Sequence, residues 1–300
     1  PSRYYITKDG FLVLSSEVGC IDIPAEDVVV KERLRPGKML LVDTVKGKLI
    51  DDEDIKEYYS TRQPYGEWLD QNLVHLGDLK IPNKGIEKYD KESLVRHQKA
   101  FGYTYEQIRT SILPMAKNGT EPIAAMGADT AIPPLSQKDG PLFNYFKQLF
   151  AQVTNPAIDP IREELVMSLT EYIGAVGTNI LMPSESHCKM VRLPHPILTN
   201  TELDILCNIR YKGFNTVKLP MLFDAAKGTA GLQEAIYELC RRAEASVDDG
   251  VNYIILTDEG VDRDHVAIPS LLAVSAVHHH LISVQKRVQT ALIVKSGEIR

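Results

Sequence analysis

Apolar strands alternate with long helices over the last third of the chain. Short apolar runs at residues 216–219, 252–256 and 291–294 are separated by helical stretches at 232–247 and 268–288. In the first of these stretches apolar residues recur every three or four positions, as they do on one face of an amphipathic helix. Strands that alternate with helices of this length are typical of parallel βαβ units. The sequence therefore predicts an α/β fold with a parallel sheet.

The beginning of the chain has a different pattern, rich in short strands and turns. Residues 4–7 and 11–14 are predicted to form two strands joined by an Asp-Gly turn. Further along, Gly, Pro, Asn and charged residues mix without periodicity, which favours a surface linker. We predict a β-rich segment over residues 1–75, a linker over 76–92 and an α/β domain of parallel βαβ units over 93–300.

Two helices are predicted directly after the linker, at residues 94–101 and 105–116. Thr104 is the expected N-cap of the second helix, because its hydroxyl can accept a free backbone N–H. Pro114 is expected to kink or end that helix, since proline lacks the N–H that an interior position needs.

A stiff elbow between two further helices is predicted at residues 153–158. The apolar periodicity before it indicates a helix over 142–153, which a proline in the elbow must end. Asp159, followed by a proline, has the chemistry of a helix start. The elbow presents Thr154 and Asn155, although a short connection of this kind needs no function of its own.

A loop of small residues lies at 123–130. Met126 and Gly127 stand in a run of alanines, and small residues of this kind let the backbone approach another group closely. Asp129 and Thr130 add polar groups beside this surface. From the residues alone, a tight buried turn before the two prolines that follow is the simpler interpretation of the same pattern.

Composition and charge exclude several classes of function. The net charge of −6 gives no electrostatic footprint for nucleic acid or an anionic membrane. No apolar run approaches the roughly 20 residues that a bilayer span requires, and no signal peptide is recognised. These features predict a cytoplasmic protein without a nucleic-acid or membrane partner.

No metal site is predicted. The four cysteines are far apart and form no CxxC motif, so zinc, an iron–sulfur cluster and disulfides are poorly supported, and reduced, buried thiols are expected. His278, His279 and His280 are consecutive, and on a helix such residues point about 100° apart, so they cannot close on one metal ion.

Two local motifs in the α/β region invite a ligand interpretation. Gly228 and Gly231 lie at a helix start, where anions bind, but the phosphate-loop lysine is missing and a simple helix entry is the better interpretation. Thr257 and Asp258 follow a strand, at the edge where α/β folds place ligands. No partner for this pair is evident from the sequence.

Several long strings resemble the large subunit of the glutamate synthases. The first 75 residues carry RYYIT, SSEVG, RLRPGKMLLVD, DDEDIK and PYGEWL, which resemble the C-terminal end of the glutaminase domain, a class II amidotransferase domain. FAQVTNPAIDPIREELVMSL, IPSLLAVSAVHHHLI and LIVKSGEIR are similar to the central domain of the same subunit. The resemblance runs through nearly the whole chain.

The resemblance implies an internal segment of an enzyme that makes glutamate from glutamine and 2-oxoglutarate. Such a segment links the glutaminase and FMN synthase domains of one polypeptide and helps form an ammonia tunnel. The full subunit would hold FMN and a 3Fe-4S cluster, but this segment alone would bind neither of them. Electrons would come from a small subunit or ferredoxin. By the same resemblance the location is cytoplasmic, or plastid in a photosynthetic eukaryote, and the natural polypeptide continues at both ends.

The resemblance also assigns roles to residues. No catalytic residue is expected, because class II amidotransferases use an N-terminal cysteine, whereas Pro1 begins this chain and Cys20 lies in a strand-like region. Thr154 and Asn155 are implied to line the ammonia path.

The loop of Met126, Gly127, Asp129 and Thr130 is implied to face FMN or 2-oxoglutarate. It resembles the motif Gly-Ser-Met-Gly-x-Asp-Thr, with two alanines in place of the first Gly-Ser. The alternative functions are a catalytically silent structural or interaction module of another multidomain protein, and an independent α/β enzyme. The latter would need a nucleophile–base pair, which the sequence does not reveal.

Overall fold

A computed structural model of the chain divides into two compact units, Pro1–Asp70 and Gln71–Arg300. It describes residues 2–17, 19–82, 89–123, 134–137, 140–146, 158–177 and 179–300. The elements up to residue 72 are β1 (Arg3–Thr7), β2 (Leu12–Ser15), β3 (Val28–Arg33), β4 (Leu41–Asp43), β5 (Lys48–Ile50), α1 (Asp52–Thr61) and α2 (Tyr65–Asn72).

Small antiparallel sheets form the first unit. β1 lies between β2 and β3 and is antiparallel to both, while β4 pairs with β5. The predicted hairpin is confirmed, with its second strand starting one residue later than expected. Cys20 lies in a bend beyond β2 rather than in a strand, and its Sγ is 2.9 Å from the hydroxyl of Ser15.

A buried carboxylate connects the start of α1 to the turn before β4. Asp52 is ion-paired with Lys38 at 2.8 Å and with Lys56 at 2.9 Å, and it accepts a hydrogen bond from the backbone N–H of Met39 at 2.8 Å. These lysines and the N–H hold the pKa of the carboxyl far below its ordinary value. Asp52 is therefore ionised wherever the unit is folded at neutral pH.

The second unit carries the parallel sheet that the sequence predicts. β11 lies between β9 and β13 and is parallel to both, and helices α8 and α9 connect the three strands in turn. The elements are β6 (Val74–His75), α3 (Lys91–Ala100), α4 (Tyr105–Gln107), α5 (Leu113–Asn118), α6 (Pro160–Val166), β7 (Glu171–Gly174), β8 (Met190–Leu193), α7 (Asn200–Cys207), β9 (Thr216–Pro220), β10 (Leu222–Asp224), α8 (Gly228–Asp248), β11 (Tyr253–Thr257), β12 (His265–Ala267), α9 (Ser270–Ser283) and β13 (Ala291–Lys295).

The core lies on both faces of this sheet. Ile254 and Leu256 of β11 belong to a cluster with buried residues of α8 and α9, whereas Tyr253 packs in a second cluster with residues of α7 and β8. Burial raises the pKa of Tyr253, whose hydroxyl donates to the carbonyl of Ile173 at 3.3 Å. A strand covered on both faces explains the uninterrupted apolar run in the sequence.

One expectation about an element boundary is corrected. Residues 74 and 75, the last of the predicted β-rich segment, form β6, which pairs with β8, and Val74 is buried. The last long helix ends at Ser283 rather than near residue 288, because Gln285 adopts a left-handed conformation (φ 60°). The N–H of Lys286 then returns to the carbonyl of Leu281 at 2.8 Å, which closes the helix end.

The helix around Pro114 continues past the proline, so of the two expected outcomes the one in which the helix ends there is wrong. Thr104 caps α4 as predicted, with its side chain accepting the N–H of Gln107. A π-helical turn, Ile108–Ile112, then leads into α5, which contains Pro114 and runs to Asn118. A wide π turn accommodates a residue that has no N–H to donate, so the helix continues past the proline.

The two helices around the elbow have different outcomes. α6 is confirmed, and the carboxylate of Asp159 accepts the N–H groups of Ile161 and Arg162 at 3.0 and 2.9 Å. The prediction of a helix from residue 142 is wrong over residues 142–146, the part that the structure describes. There Leu142–Tyr145 form a 3-10 turn and Phe146 is extended. The N–H of Gly140 bonds to the hydroxyl of Tyr145, which favours this tight turn.

Candidate functional site

A cavity of about 1060 Å³ opens where the parallel strands β9, β11 and β13 end. Part of its polar lining comes from the ends of the sheet strands and the residues after them, including Lys218, Glu259 and Lys295. Its apolar lining comes mainly from α3 and the residues around it, with Tyr89 and Phe101 as the large side chains. The carboxyl edge of a parallel sheet is where α/β proteins bind ligands. This cavity is therefore the candidate site in the described part of the chain.

A carboxylate shared between two lysines dominates the polar lining. Glu259 is ion-paired with Lys218 at 3.3 Å and also with Lys295. Burial raises the pKa of Glu259, but the hydrogen bonds and charges of the two lysines outweigh it, so the pKa lies below its ordinary value. The side chains are about one-third exposed, so the cluster is reachable from the cavity. Within this cluster two ammonium groups share one carboxylate, and the carboxyl groups of Asp204 and Asp258 lie on the same cavity lining.

Asp258 links the end of β11 to the chain that follows β13. Its carboxylate accepts the N–H of Gly297 at 3.0 Å, and a hydrogen bond with the side chain of Ser296 adds to this contact. Burial raises the pKa of Asp258, although both hydrogen bonds favour its charged form. The partner that was not evident from the sequence is thus the 296–300 segment.

The 296–300 segment forms part of the cavity wall and is held from two sides. Glu298 accepts the N–H and the hydroxyl of Ser270 at 2.6 and 2.7 Å, which caps the first turn of α9. The guanidinium of Arg300 lies 4.0 Å from the ring centre of Tyr103 and donates to the carbonyl of Phe101 at 2.8 Å. Contacts with separate elements fix the path of this segment.

Two further polar groups line the cavity. Asp204 of α7 is half-buried, and its carboxylate makes no hydrogen bond or ion pair with any residue that the structure describes. Nδ1 of His97 lies 2.8 Å from the carbonyl oxygen of Ser93, which can only accept, so Nδ1 carries the proton. In the neutral ring, Nε2 is then a free acceptor.

The residues of this site were missed by sequence reasoning, apart from Asp258. A signal was present, because Asp258, Glu259 and Lys295 closely follow predicted strands and Lys218 lies near the end of another. That signal is weak by itself, since charged residues commonly occupy such edges. Only the parallel register brings these positions to one place.

The six residues singled out from the sequence fall outside the described part of the chain. Met126, Gly127, Asp129 and Thr130 fall in residues 124–133, outside the part of the chain that the structure describes. Thr154 and Asn155 fall in residues 147–157, which are likewise outside it. Their roles stay predictions.

The three consecutive histidines have different surroundings. Nε2 of His280 lies 2.8 Å from a carboxylate oxygen of Glu244, Nδ1 of His278 accepts from Arg287 at 3.0 Å, and His279 is exposed. Over residues 2–300, apart from the stretches left undescribed, no group of three or more His, Cys, Asp or Glu side chains is placed to hold a metal ion.

The cysteines do not fit an iron–sulfur cluster, which needs several thiolates at one point. They lie in separate elements, and only Cys240 is buried, while Cys20 is exposed. The expectation of buried thiols is therefore wrong for Cys20. Burial raises the pKa of the Cys240 thiol, which favours the protonated thiol over the reactive thiolate.

None of the helices in the described ranges has the length and apolar character that a bilayer span requires.

Comparison with known proteins identifies related sequences over the whole chain. Residues 96–300 match the family model of the glutamate synthase central domain, and residues 1–68 match that of the class II glutamine amidotransferases.

Three relatives show how far the similarity extends. The chain is 42% identical over 300 residues to the glutamate synthase [NADPH] large chain of Bacillus subtilis and 39% identical over 310 residues to the glutamate synthase [NADH] of Schizosaccharomyces pombe. It is 38% identical over 301 residues to the chloroplastic ferredoxin-dependent glutamate synthase of Spinacia oleracea. These matches cover 99–100% of this chain but only 15–19% of the relatives' lengths. The predicted α/β fold class and family resemblance are confirmed: the chain belongs to the glutamate synthase central domain family.

Proposed function

We propose that this chain is an internal segment of a glutamate synthase, the enzyme that makes glutamate from glutamine and 2-oxoglutarate. The observation that carries the proposal is the order of the two family matches, with the class II amidotransferase match at residues 1–68 and the central-domain match at 96–300. In our proposal, residues 1–75 end the glutaminase domain, residues 76–92 link it to the central domain, and residues 93–300 form that domain.

The proposed role of the segment is to join two reaction centres and to help form the ammonia tunnel between them. Ammonia released into water is protonated and diffuses away, so its path must exclude water. Thr154 and Asn155 are proposed to line this path with small polar groups. The loop of Met126, Gly127, Asp129 and Thr130 is proposed to face FMN or 2-oxoglutarate.

The full subunit is proposed to bind FMN and a 3Fe-4S cluster outside this segment. The residues proposed to face FMN lie outside the described ranges. The relatives are named for NADPH, NADH and ferredoxin as their electron donors. A small subunit or ferredoxin is the corresponding partner here, in the cytoplasm or in a plastid.

Coupling between the two half-reactions tests the tunnel in the full-length enzyme. Asn155→Leu and Thr154→Val remove polar groups from the proposed path at similar volume. We expect each variant to hydrolyse glutamine but to lose glutamine-dependent glutamate formation several-fold, while added ammonium still supports the reaction. The measurement is the ratio of glutamine hydrolysed to reduced donor oxidised.

Asn118→Leu is the matched control, because Asn118 is exposed at the end of α5. This variant should keep the coupling of the wild type. Unchanged coupling in both tunnel variants would refute the proposed role of Thr154 and Asn155.

Absorbance separates this proposal from the alternative of a catalytically silent module in another multidomain protein. The purified full-length protein should be yellow-brown from its flavin and iron–sulfur groups. The segment alone should be colourless. A colourless full-length protein that is fully folded would favour the silent module.

A further inference from the structure

We propose that the cavity at the carboxyl edge of the parallel sheet binds a free amino acid with an aromatic side chain. Nothing in the similarity to the glutamate synthases assigns a ligand to these residues. The inference rests only on side chains of the second unit and stands whether or not the proposed function is correct.

The lysine pair provides the site for the ligand's carboxylate. Each ammonium group has three N–H donors, and Lys218 and Lys295 share the single carboxylate of Glu259. Donors therefore remain on both lysines, at the edge of a cavity large enough to bring a second carboxylate to them. Charge-assisted hydrogen bonds of this kind are stronger than those between neutral groups.

Asp204 and His97 provide the site for the ligand's ammonium group. The carboxylate of Asp204 is half-buried on the cavity lining and makes no hydrogen bond with a described residue, so its oxygens can accept from a ligand. Nε2 of His97 is a second acceptor on the cavity lining, because Nδ1 is used by the carbonyl of Ser93. Both groups suit an N–H donor.

The charge balance selects a zwitterion over an anion. The lining carries two lysines, Lys218 and Lys295, and three carboxyl groups, those of Asp204, Asp258 and Glu259, so no lysine lacks a counter-charge. A phosphate or a dicarboxylate would bring more negative charge to this lining and be disfavoured. A zwitterion satisfies both signs without changing the net charge.

The apolar lining suits an aromatic side chain. Aromatic rings and aliphatic side chains surround the remaining space, and they are Tyr89, Leu94, Phe101, Tyr103, Ile108 and Ile112. Rings pack favourably against one another in offset or edge-to-face geometry. The volume of about 1060 Å³ accommodates the largest amino acid with water beside it.

Three probes with the same ring test the zwitterion directly in the full-length protein. They are L-phenylalanine, 3-phenylpropionate, which lacks the amine, and 2-phenylethylamine, which lacks the carboxylate. We expect L-phenylalanine to slow hydrogen exchange in residues 91–100, 253–261 and 291–297. Each of the other probes should bind at least about tenfold more weakly, because one charge-assisted contact is lost.

Variants assign the two ends of the ligand. Lys295→Met and Asp204→Asn should each weaken the binding of L-phenylalanine about tenfold. Lys218→Met is the second lysine variant, for use if Lys295→Met does not fold. Lys227→Met is the matched control, because Lys227 forms a surface ion pair with Glu234 at 3.0 Å and is not part of the cavity lining.

The proposal is overturned if L-phenylalanine at about 10 mM protects none of these segments. It is also overturned if the three probes bind equally well, or if the control Lys227→Met weakens binding as much as the cavity variants do. Loss of coupling in the tunnel variants is a separate readout, so the failure of either proposal can be recognised without the other.

Discussion

Replacing Leu256 by alanine tests whether β11 is the centre of the second unit. Leu256 is fully buried in the cluster that β11 forms with α8 and α9. The substitution removes three carbon groups, worth about 2.4 kcal/mol at about 0.8 kcal/mol each. A residual void of roughly 65 Å³ adds about 1.5 kcal/mol at about 24 cal/mol per Å³. We therefore expect the free energy of unfolding to fall by about 4 kcal/mol.

Urea unfolding followed by far-UV circular dichroism measures this loss, and hydrogen exchange in β11 localises it. Leu271→Ala is the control, since Leu271 lies on α9 with 47% of its surface exposed. The control should cost less than about 1 kcal/mol, because little apolar surface is lost there. A loss below about 1 kcal/mol for Leu256→Ala, or equal losses in the two variants, would contradict the central position of β11.

Three further predictions concern the surroundings of the cavity. Thr199 is the N-cap of α7, and its hydroxyl accepts the N–H of Glu202 at 3.3 Å. Thr199→Ala should lower the free energy of unfolding by about 1 kcal/mol and make hydrogen exchange in α7 faster. Gly297→Ala places a Cβ 2.6 Å from the ring of Phe101, so it should lower the free energy of unfolding by about 1–3 kcal/mol. Amide hydrogen exchange in residues 296–300 should become faster, and unchanged exchange would contradict this contact. Asp258→Asn should stabilise the protein at pH 7 in urea titrations, and the gain should shrink as the pH falls toward 3.8, the ordinary pKa of an aspartate.

The sign of the Asp258 effect follows from the direction of its pKa. Burial raises the pKa in the folded chain, so as the pH rises the unfolded chain loses its proton first. The folded chain is therefore destabilised as the pH rises from the pKa of Asp258 in the unfolded chain through its higher pKa in the folded chain. Asparagine does not titrate and keeps an oxygen to accept the N–H of Gly297. The quantity to compare is the stability of Asp258→Asn minus that of the wild type. A smaller difference at pH 7 than at pH 4 would contradict this reasoning.

The sequence by itself determined the class of fold and the local helix signals. The alternation of apolar strands and long helices correctly predicted the parallel sheet of β9, β11 and β13. Asp159 and Thr104 were correctly predicted as helix N-caps. These features depend on neighbours within a few residues, so the physical chemistry that produces them can be read locally.

Tertiary contacts decided the features that local patterns do not encode. β6 forms because β8 offers it a partner more than a hundred residues away, and α9 ends early as Lys286 turns back to pair with Glu244 of α8 at 3.0 Å. The cluster of Lys218, Glu259 and Lys295 exists only because parallel pairing aligns strands that are 36–41 residues apart in the chain. Each of these three features requires two segments that are far apart in the sequence to come into contact. A pattern read over neighbouring residues therefore cannot predict them.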